Sequence, residues 1–394
     1  RPTTGLTPHM PSRTSASRIS AILLACLFSS PGWGLEYVTL RRDGHDQEVT
    51  GRMIVEAADG GVLLESPTGY LWTIQPDEIV RRHHDDRPFS AASGDQLVEH
   101  IRADLPEDMA VHTTAHFAIF YNTSKPYAQW CGALYERLYS GFYNYWQKRH
   151  MELHAPEVPL IALVFADKES YLQQARQELG EAATSIVGYY SLQSNRIVTY
   201  DLTGVDQLRS TQSRRTGSNS RHINAILSRP EAAPLVATII HEATHQLCYN
   251  SGLLSRHVDH PLWLSEGLAI FFETPDLGRS RGWRTVGAVH TGRLDRLRRS
   301  LAARDANALT ELLASDQRLR SPETSIDAYA ESWALCYYLL RVHPQEFAEY
   351  LQDQGSRRPL IPDDTEQRLA RFRKYLGNDL DGLDREFLRY IDKL

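Results

Sequence analysis

Two short stretches constrain this chain more than anything else in it: His241-Glu242-Ala243-Thr244-His245 and, further along, Trp263-Leu264-Ser265-Glu266-Gly267. The first reads H-E-x-x-H, which puts two imidazoles one helical turn apart on the same face. Both can reach a single divalent ion, while Glu242, about 100° round the helix, can hold a water on it. An apolar run, Pro234-Leu235-Val236-Ala237-Thr238-Ile239-Ile240, leads into the motif. Pro234 suits a first helical turn, and Leu235, Ile239 and Ile240 suit a buried face. The pattern predicts a buried helix that carries the motif.

A catalytic zinc usually takes three protein ligands and leaves one position open. Glu266 is the best candidate for the third. It lies in Pro261-Leu262-Trp263-Leu264-Ser265-Glu266-Gly267-Leu268-Ala269-Ile270-Phe271-Phe272-Glu273, which reads as a second helix opened by Pro261. Enough chain separates the two motifs to finish one helix, turn, and lay the second antiparallel beside it. A carboxylate in so apolar a helix is costly to bury without a partner, and a metal is such a partner. His257, His260 and His290 are rivals by proximity in sequence, in contexts that suit surface or supporting residues better.

With these residues in view, His241 to His245 followed by Trp263 to Glu273 resembles the gluzincin (peptidase MA-like) zinc metalloproteases, whose second motif reads W-L-x-E-G-x-A-x-x-x-E. The resemblance covers residues 109–394 and is close to an uncharacterised branch of secreted bacterial zincin-like proteins. It implies an α+β fold of zincin type, a small mixed sheet over a helical subdomain. It also implies zinc held by His241, His245 and Glu266, with Glu242 as general base. Glu273, seven residues after Glu266 and at nearly the same helix angle, is placed to support the ligands from behind. Tyr329, in Ala328-Tyr329-Ala330-Glu331-Ser332-Trp333-Ala334-Leu335, matches a family Tyr that stabilises the tetrahedral oxyanion.

The expected substrate is therefore a peptide or protein. No G-x-M-E-N type element of the exopeptidase branch is present, so endopeptidase action is expected ahead of aminopeptidase action. Two other functions fit parts of the pattern. One is a non-catalytic surface or wall-binding protein with a structural zinc, although a structural brace needs ligands and no base. The other is an amidase acting on cell-wall cross-links.

Composition narrows the partners. The chain is 42% hydrophobic and 23% charged, as for an ordinary globular protein, with a formal net charge of −6. An acidic surface argues against nucleic acid and anionic membranes as main partners. Arg18, the apolar run from Ile19 to Phe28 and the small residues from Ser29 to Gly34 follow the pattern of a secretory signal. Residues 1–34 are thus expected to be a signal with an extension before Met10, and the protein to be exported to periplasm, cell surface or medium. Leu23-Leu24-Ala25-Cys26 offers the alternative of a lipid anchor at Cys26. No later segment reads as a membrane span. Cys131, Cys248 and Cys336 remain after such a signal, too odd a number for a complete disulfide framework. Buried thiols are expected, with a Cys248–Cys336 pairing as the alternative.

Residues 35–84 differ in texture from the rest. Strand-like runs at 49–56, 61–65 and 70–74, broken by Asp59-Gly60-Gly61 and Ser66-Pro67-Thr68-Gly69, suggest a small SH3-like β-barrel of about five strands. It could bind a peptide or wall component, or simply pack on the larger domain. Arg81 to Pro88 reads as a charged junction, and 85–108 as a linker with a short helix. Beyond it, strands are expected at 117–121 and 160–165, helices at 126–148 and 168–179, and a hairpin at 188–191 and 196–200. In gluzincins an edge strand at this place binds extended substrate through its main chain. Residues 203–222 read as a loop, and Arg293 to Ala303 as a helix whose arginines form the wet face.

Overall fold

The computed structural model describes residues 34–204, 220–274 and 286–394. Most of the expected signal, with Cys26, lies outside those residues. So do the centre of the 203–222 loop and the basic run from Arg279 to Arg284.

Alternating burial builds the first sheet. Strands β1 (Gly34–Arg42), β2 (His45–Glu56), β3 (Val62–Glu65), β4 (Leu71–Ile74) and β5 (Ile79–Pro88) pair antiparallel in the order β4-β3-β2-β1-β5. Val38, Leu40, Val49, Val62, Leu64 and Ile74 form its small separate core. About five strands were to be expected here, but they do not close into a barrel: β4 and β5 are the two edges. The outer side of β4 turns instead to the larger domain, where the Leu71 N–H donates to the Gln193 carbonyl at 2.8 Å.

The charged stretch from Arg81 to Pro88 is not a linker but most of β5, paired with β1 through Val38–Arg82 and Tyr37–His83. It lacks the apolar alternation that marks a strand because charge does the pairing. Arg82 Nε donates to Glu36 Oε2 at 3.0 Å, and Arg82 Nη1 to Glu56 Oε1 at 3.0 Å. The short helix that follows is α1 (Gly94–Ala103), capped reciprocally by Ser93 and Gln96.

The second sheet has the order β6-β7-β8-β10-β9. Its strands are β6 (Ala110–Thr113), β7 (Phe117–Tyr121), β8 (Leu160–Phe165), β9 (Gly188–Ser191) and β10 (Arg196–Tyr200). The central β7, β8 and β10 run parallel, and β6 and β9 are antiparallel edges. Parallel neighbours need a crossover, and α2 (Lys125–Gln147) supplies it between β7 and β8. The aromatic stripe of α2 is core: Tyr127, Tyr135, Phe142 and Trp146 are fully buried. β6 gives no sequence signal, being four residues long and only half-buried.

After α3 (Lys168–Leu179) the chain becomes helical. α4 (Ser220–Leu227) begins inside the stretch expected as loop. α5 (Ala233–Asn250), α6 (Leu262–Phe272) and α7 (Thr291–Ser300) follow. Then come α8 (Ala308–Ala314), α9 (Gln317–Arg320), α10 (Ser325–Val342), α11 (Pro344–Gly355), α12 (Thr365–Leu376) and α13 (Leu380–Asp392). One continuous apolar core joins the second sheet to these helices. The class is thus a mixed α+β fold. Among the described residues no helix is long and apolar enough to cross a membrane. Cys131, Cys248 and Cys336 are free, buried thiols.

α10 is held from its far side by buried charge. Arg304 donates to Glu331 Oε1 and to both oxygens of Asp384, and Arg318 Nη2 to Glu331 Oε2 at 2.7 Å. The α5–α6 connection is anchored differently, by a neutral imidazole. His260 Nε2 accepts the Ser255 N–H at 3.0 Å, and Nδ1 faces Gln354 Oε1 on α11 at 3.4 Å. Burial pushes the His260 pKa down to about 4. Below about 6.5 the unfolded chain binds that proton and the folded one does not, so stability falls as pH drops from 6.5 towards 4. At about 1.4 kcal/mol per unit, His260 accounts for a loss of about 3 kcal/mol by the bottom of that window. Urea unfolding at pH 7 and pH 4.5 should therefore show a smaller acid loss in His260→Gln than in wild type. Equal losses would contradict this role for His260.

Candidate metal centre

α5, which carries the H-E-x-x-H stretch, starts with Pro234 in its first turn, where a missing N–H costs nothing, and is buried from Ile239 to Cys248. Beside it, every residue of α6 from Trp263 to Phe272 is buried. So apolar a helix has one place to go, the centre of the domain. Gly267 sets how closely α10 approaches. A Cβ there would lie 2.5 Å from Cys336 Sγ and 2.5 Å from the Ser332 carbonyl oxygen. Only glycine fits against that backbone, and the contact packs α10, with Tyr329, against the helix that carries Glu266.

Three donor atoms converge between these helices. His241 Nε2 is 3.0 Å from Glu266 Oε2 and 3.0 Å from His245 Nε2, and His245 Nε2 is 3.6 Å from Glu266 Oε1. The two rings meet almost edge to face, at 83°. Among the described residues these three side chains form a buried group whose ligand atoms could hold one ion. Ligands at about 2.0 to 2.1 Å from a tetrahedral centre lie about 3.3 Å apart, close to the spacings seen. Glu266 Oε1 gives a second sign. It is buried with no hydrogen-bond partner, an arrangement that a cation between the three groups would satisfy. The residues present therefore fit a divalent metal ion.

Behind the cluster, Glu273 Oε1 is 2.5 Å from His241 Nδ1, and Glu273 Oε2 is 3.3 Å from His290 Nε2. A proton held on Nδ1 by Glu273 leaves the Nε2 lone pair facing the cluster. His290 in turn accepts the Arg293 N–H at 3.3 Å, at the start of α7. Burial works against the charged form of Glu266, but His245 and His241 outweigh it and hold the carboxyl at about 2. Glu273 is likewise held well below the usual carboxylate range despite its burial, by His241 and His290.

Glu242 stands differently. Burial pushes its pKa up, and neighbouring Glu266 adds to that. The two histidines and the Tyr190 N–H, which donates to Glu242 Oε2 at 2.8 Å, partly offset the rise. Tyr329 is buried nearby. Burial and the charges of Glu266, Glu242 and Glu273 hold its phenol protonated, with the Arg293 guanidinium 5.8 Å from its ring centre opposing them.

The structure brings together His241, Glu242, His245, Glu266, Glu273 and Tyr329, and leaves the rival histidines outside the cluster. His257 faces Glu65, and His260 lies between Ser255 and Gln354. His290 stands behind Glu273 rather than beside the ligands. Two participants carry no sequence signal, the Tyr190 main-chain N–H and the placement of Arg293, while His290 takes a supporting place of the kind its context suited. A further one was not among the expected residues, although its setting marks it. Gln246 is a polar residue in an apolar helix, and its amide donates to the Ile161 and Asn195 carbonyls at 3.1 and 2.8 Å.

A family model described as a protein of unknown function, DUF1570, matches residues 235–361, less than half of the chain. The match spans α6 and α10 and nearly all of α5, and with them His241, His245 and Glu266. No curated protein matches the chain.

The cluster makes a direct prediction. Purified protein supplied with divalent metal should hold about one ion per chain by elemental analysis, and Glu266→Ala should lose it. Equal metal in both would place the ion elsewhere.

Proposed function

We propose that this chain is an exported zinc-dependent peptidase of gluzincin type, cleaving within peptide chains. The observation that carries the reading is the placement of Glu242. It sits on the helix that presents His241 and His245, buried beside the Glu266 carboxylate, and faces the edge strand β9 through the Tyr190 N–H. Two imidazoles and a carboxylate are donors that suit zinc. A bound zinc would supply a Lewis acid that polarises the scissile carbonyl and lowers the pKa of the attacking water.

The remaining steps belong to the protein. Glu242 takes the proton of the attacking water and delivers it to the leaving amine. Its raised pKa favours both halves of that exchange, because a stronger carboxylate base is also an acid nearer the working pH. Tyr329, kept protonated by burial, donates to the oxyanion; such a donor is commonly worth roughly 100- to 1,000-fold in rate. Glu273 holds His241 so that its Nε2 faces the cluster. β9 is the edge of its sheet beside α5, so an extended peptide that adds to it as a further strand would take over the Tyr190 N–H that now meets Glu242. Export rests on the sequence pattern from Arg18 to Gly34.

The test is Glu242→Gln, which keeps every ligand and removes the base. Turnover of a library of internally quenched peptides should fall at least about 100-fold, with bound metal unchanged. Retained turnover would overturn the mechanism.

A further inference from the structure

The hairpin of β9 and β10 is gripped from two sides. On one side stands the metal helix. Gln246 Nε2 donates to the Asn195 carbonyl at 2.8 Å, and the Asn195 and Asn250 amides exchange hydrogen bonds at 2.8 and 2.7 Å. Asn195 holds a left-handed backbone, φ 60°, at the turn, and the Tyr190 hydroxyl donates to its side chain at 2.7 Å. On the other side stands the N-terminal sheet, with the Leu71 N–H on the Gln193 carbonyl.

Arg256, in the connection after the metal helix, ties the three parts together. Its Nη1 donates to the Gly69 carbonyl at 2.7 Å, in the β3–β4 turn, and to the Leu192 carbonyl at 3.2 Å, at the end of β9. Its Nη2 donates to Glu65 Oε1 at the end of β3. Glu65 Oε2 is taken by Arg52 Nη2 at 2.7 Å. The Arg256 side chain is 5% exposed and that of Glu65 9%. A charge pair this deep persists only where its hydrogen bonds are nearly complete. Modules that act independently usually meet across small, wet, movable interfaces. Here the charge pair itself is buried, and its hydrogen bonds reach the end of the strand whose Tyr190 N–H meets Glu242.

We propose that the N-terminal five-stranded sheet is a clamp on the β9–β10 hairpin, and that Arg256 and Glu65 are positioning residues that hold β9 in place for an extended peptide. The inference gives the sheet a role in the larger domain rather than a ligand of its own. Its kinetic consequence rests on the peptidase reading. Its structural consequence does not.

The experiment uses the full chain with two substitutions. Arg256→Lys keeps the charge but loses the planar fork that spans three acceptors. Glu65→Gln is milder and keeps the shape of the pair. Both should retain metal as wild type does. In Arg256→Lys, amide exchange across residues 188–195 should quicken at least about tenfold, the effect of losing one charge-assisted hydrogen bond. KM for an internally quenched peptide long enough to lie along β9 should rise about tenfold, with kcat within about twofold. Glu65→Gln should shift both quantities the same way by less. Wild-type exchange at 188–195 in a folded, metal-bearing Arg256→Lys would overturn the clamp, and so would a fall in kcat at unchanged KM. If wild-type protein cleaves no peptide, the peptidase reading fails and the exchange measurement still decides the clamp.

Discussion

A carboxylate 1% exposed, in a helix buried along nearly its whole length, is the constraint on which the rest of this structure depends. Glu266 has no water to ionise into, so its charge must be balanced by what packs against it. His241 and His245 do that from α5, which fixes how α5 and α6 lie together. His241 needs its own partner, Glu273, one residue past the end of α6 and held in turn by His290. Gly267 lets α10, the helix of Tyr329, close on the helix that carries Glu266. Each side chain there is held by the next, and a divalent ion fits where their free lone pairs meet.

One face of α5 carries His241 and His245 and the neighbouring face carries Glu242, so the base of the proposed peptidase shares a helix with two of the three side chains that could hold the ion. The second sheet ends in β9, and the Tyr190 N–H of that strand meets Glu242. The N-terminal sheet reaches the same hairpin through Arg256 and Leu71. An element that looks separate in sequence is thereby packed into the neighbourhood of the site by a buried ion pair and main-chain hydrogen bonds.

Much of this was legible because it is local. His241, Glu242 and His245 share one helical turn, and Pro234 and Pro261 mark the starts of their helices. β7 and β8 are unbroken apolar runs, which is how strands buried on both faces read. The aromatic residues of α2 fall mostly at spacings of three and four, which is how one buried helix face reads. What the sequence hid is held by charge or by main chain. β5 has Arg82 against Glu36 and Glu56 where a pattern search looks for valines. The β4 edge of the first sheet meets the larger domain through one N–H, that of Leu71, on a carbonyl far along the chain. Arg256 looks like any other surface Arg until the fold buries it against Glu65.

The most direct test of the central claim is X-ray absorption at the zinc K-edge on protein loaded with one equivalent of metal. The first shell should hold only nitrogen and oxygen at about 2.0 to 2.1 Å, with multiple scattering from two imidazoles. A sulfur shell at about 2.3 Å would contradict the account, because it would put the ion on the buried thiols instead of on His241, His245 and Glu266.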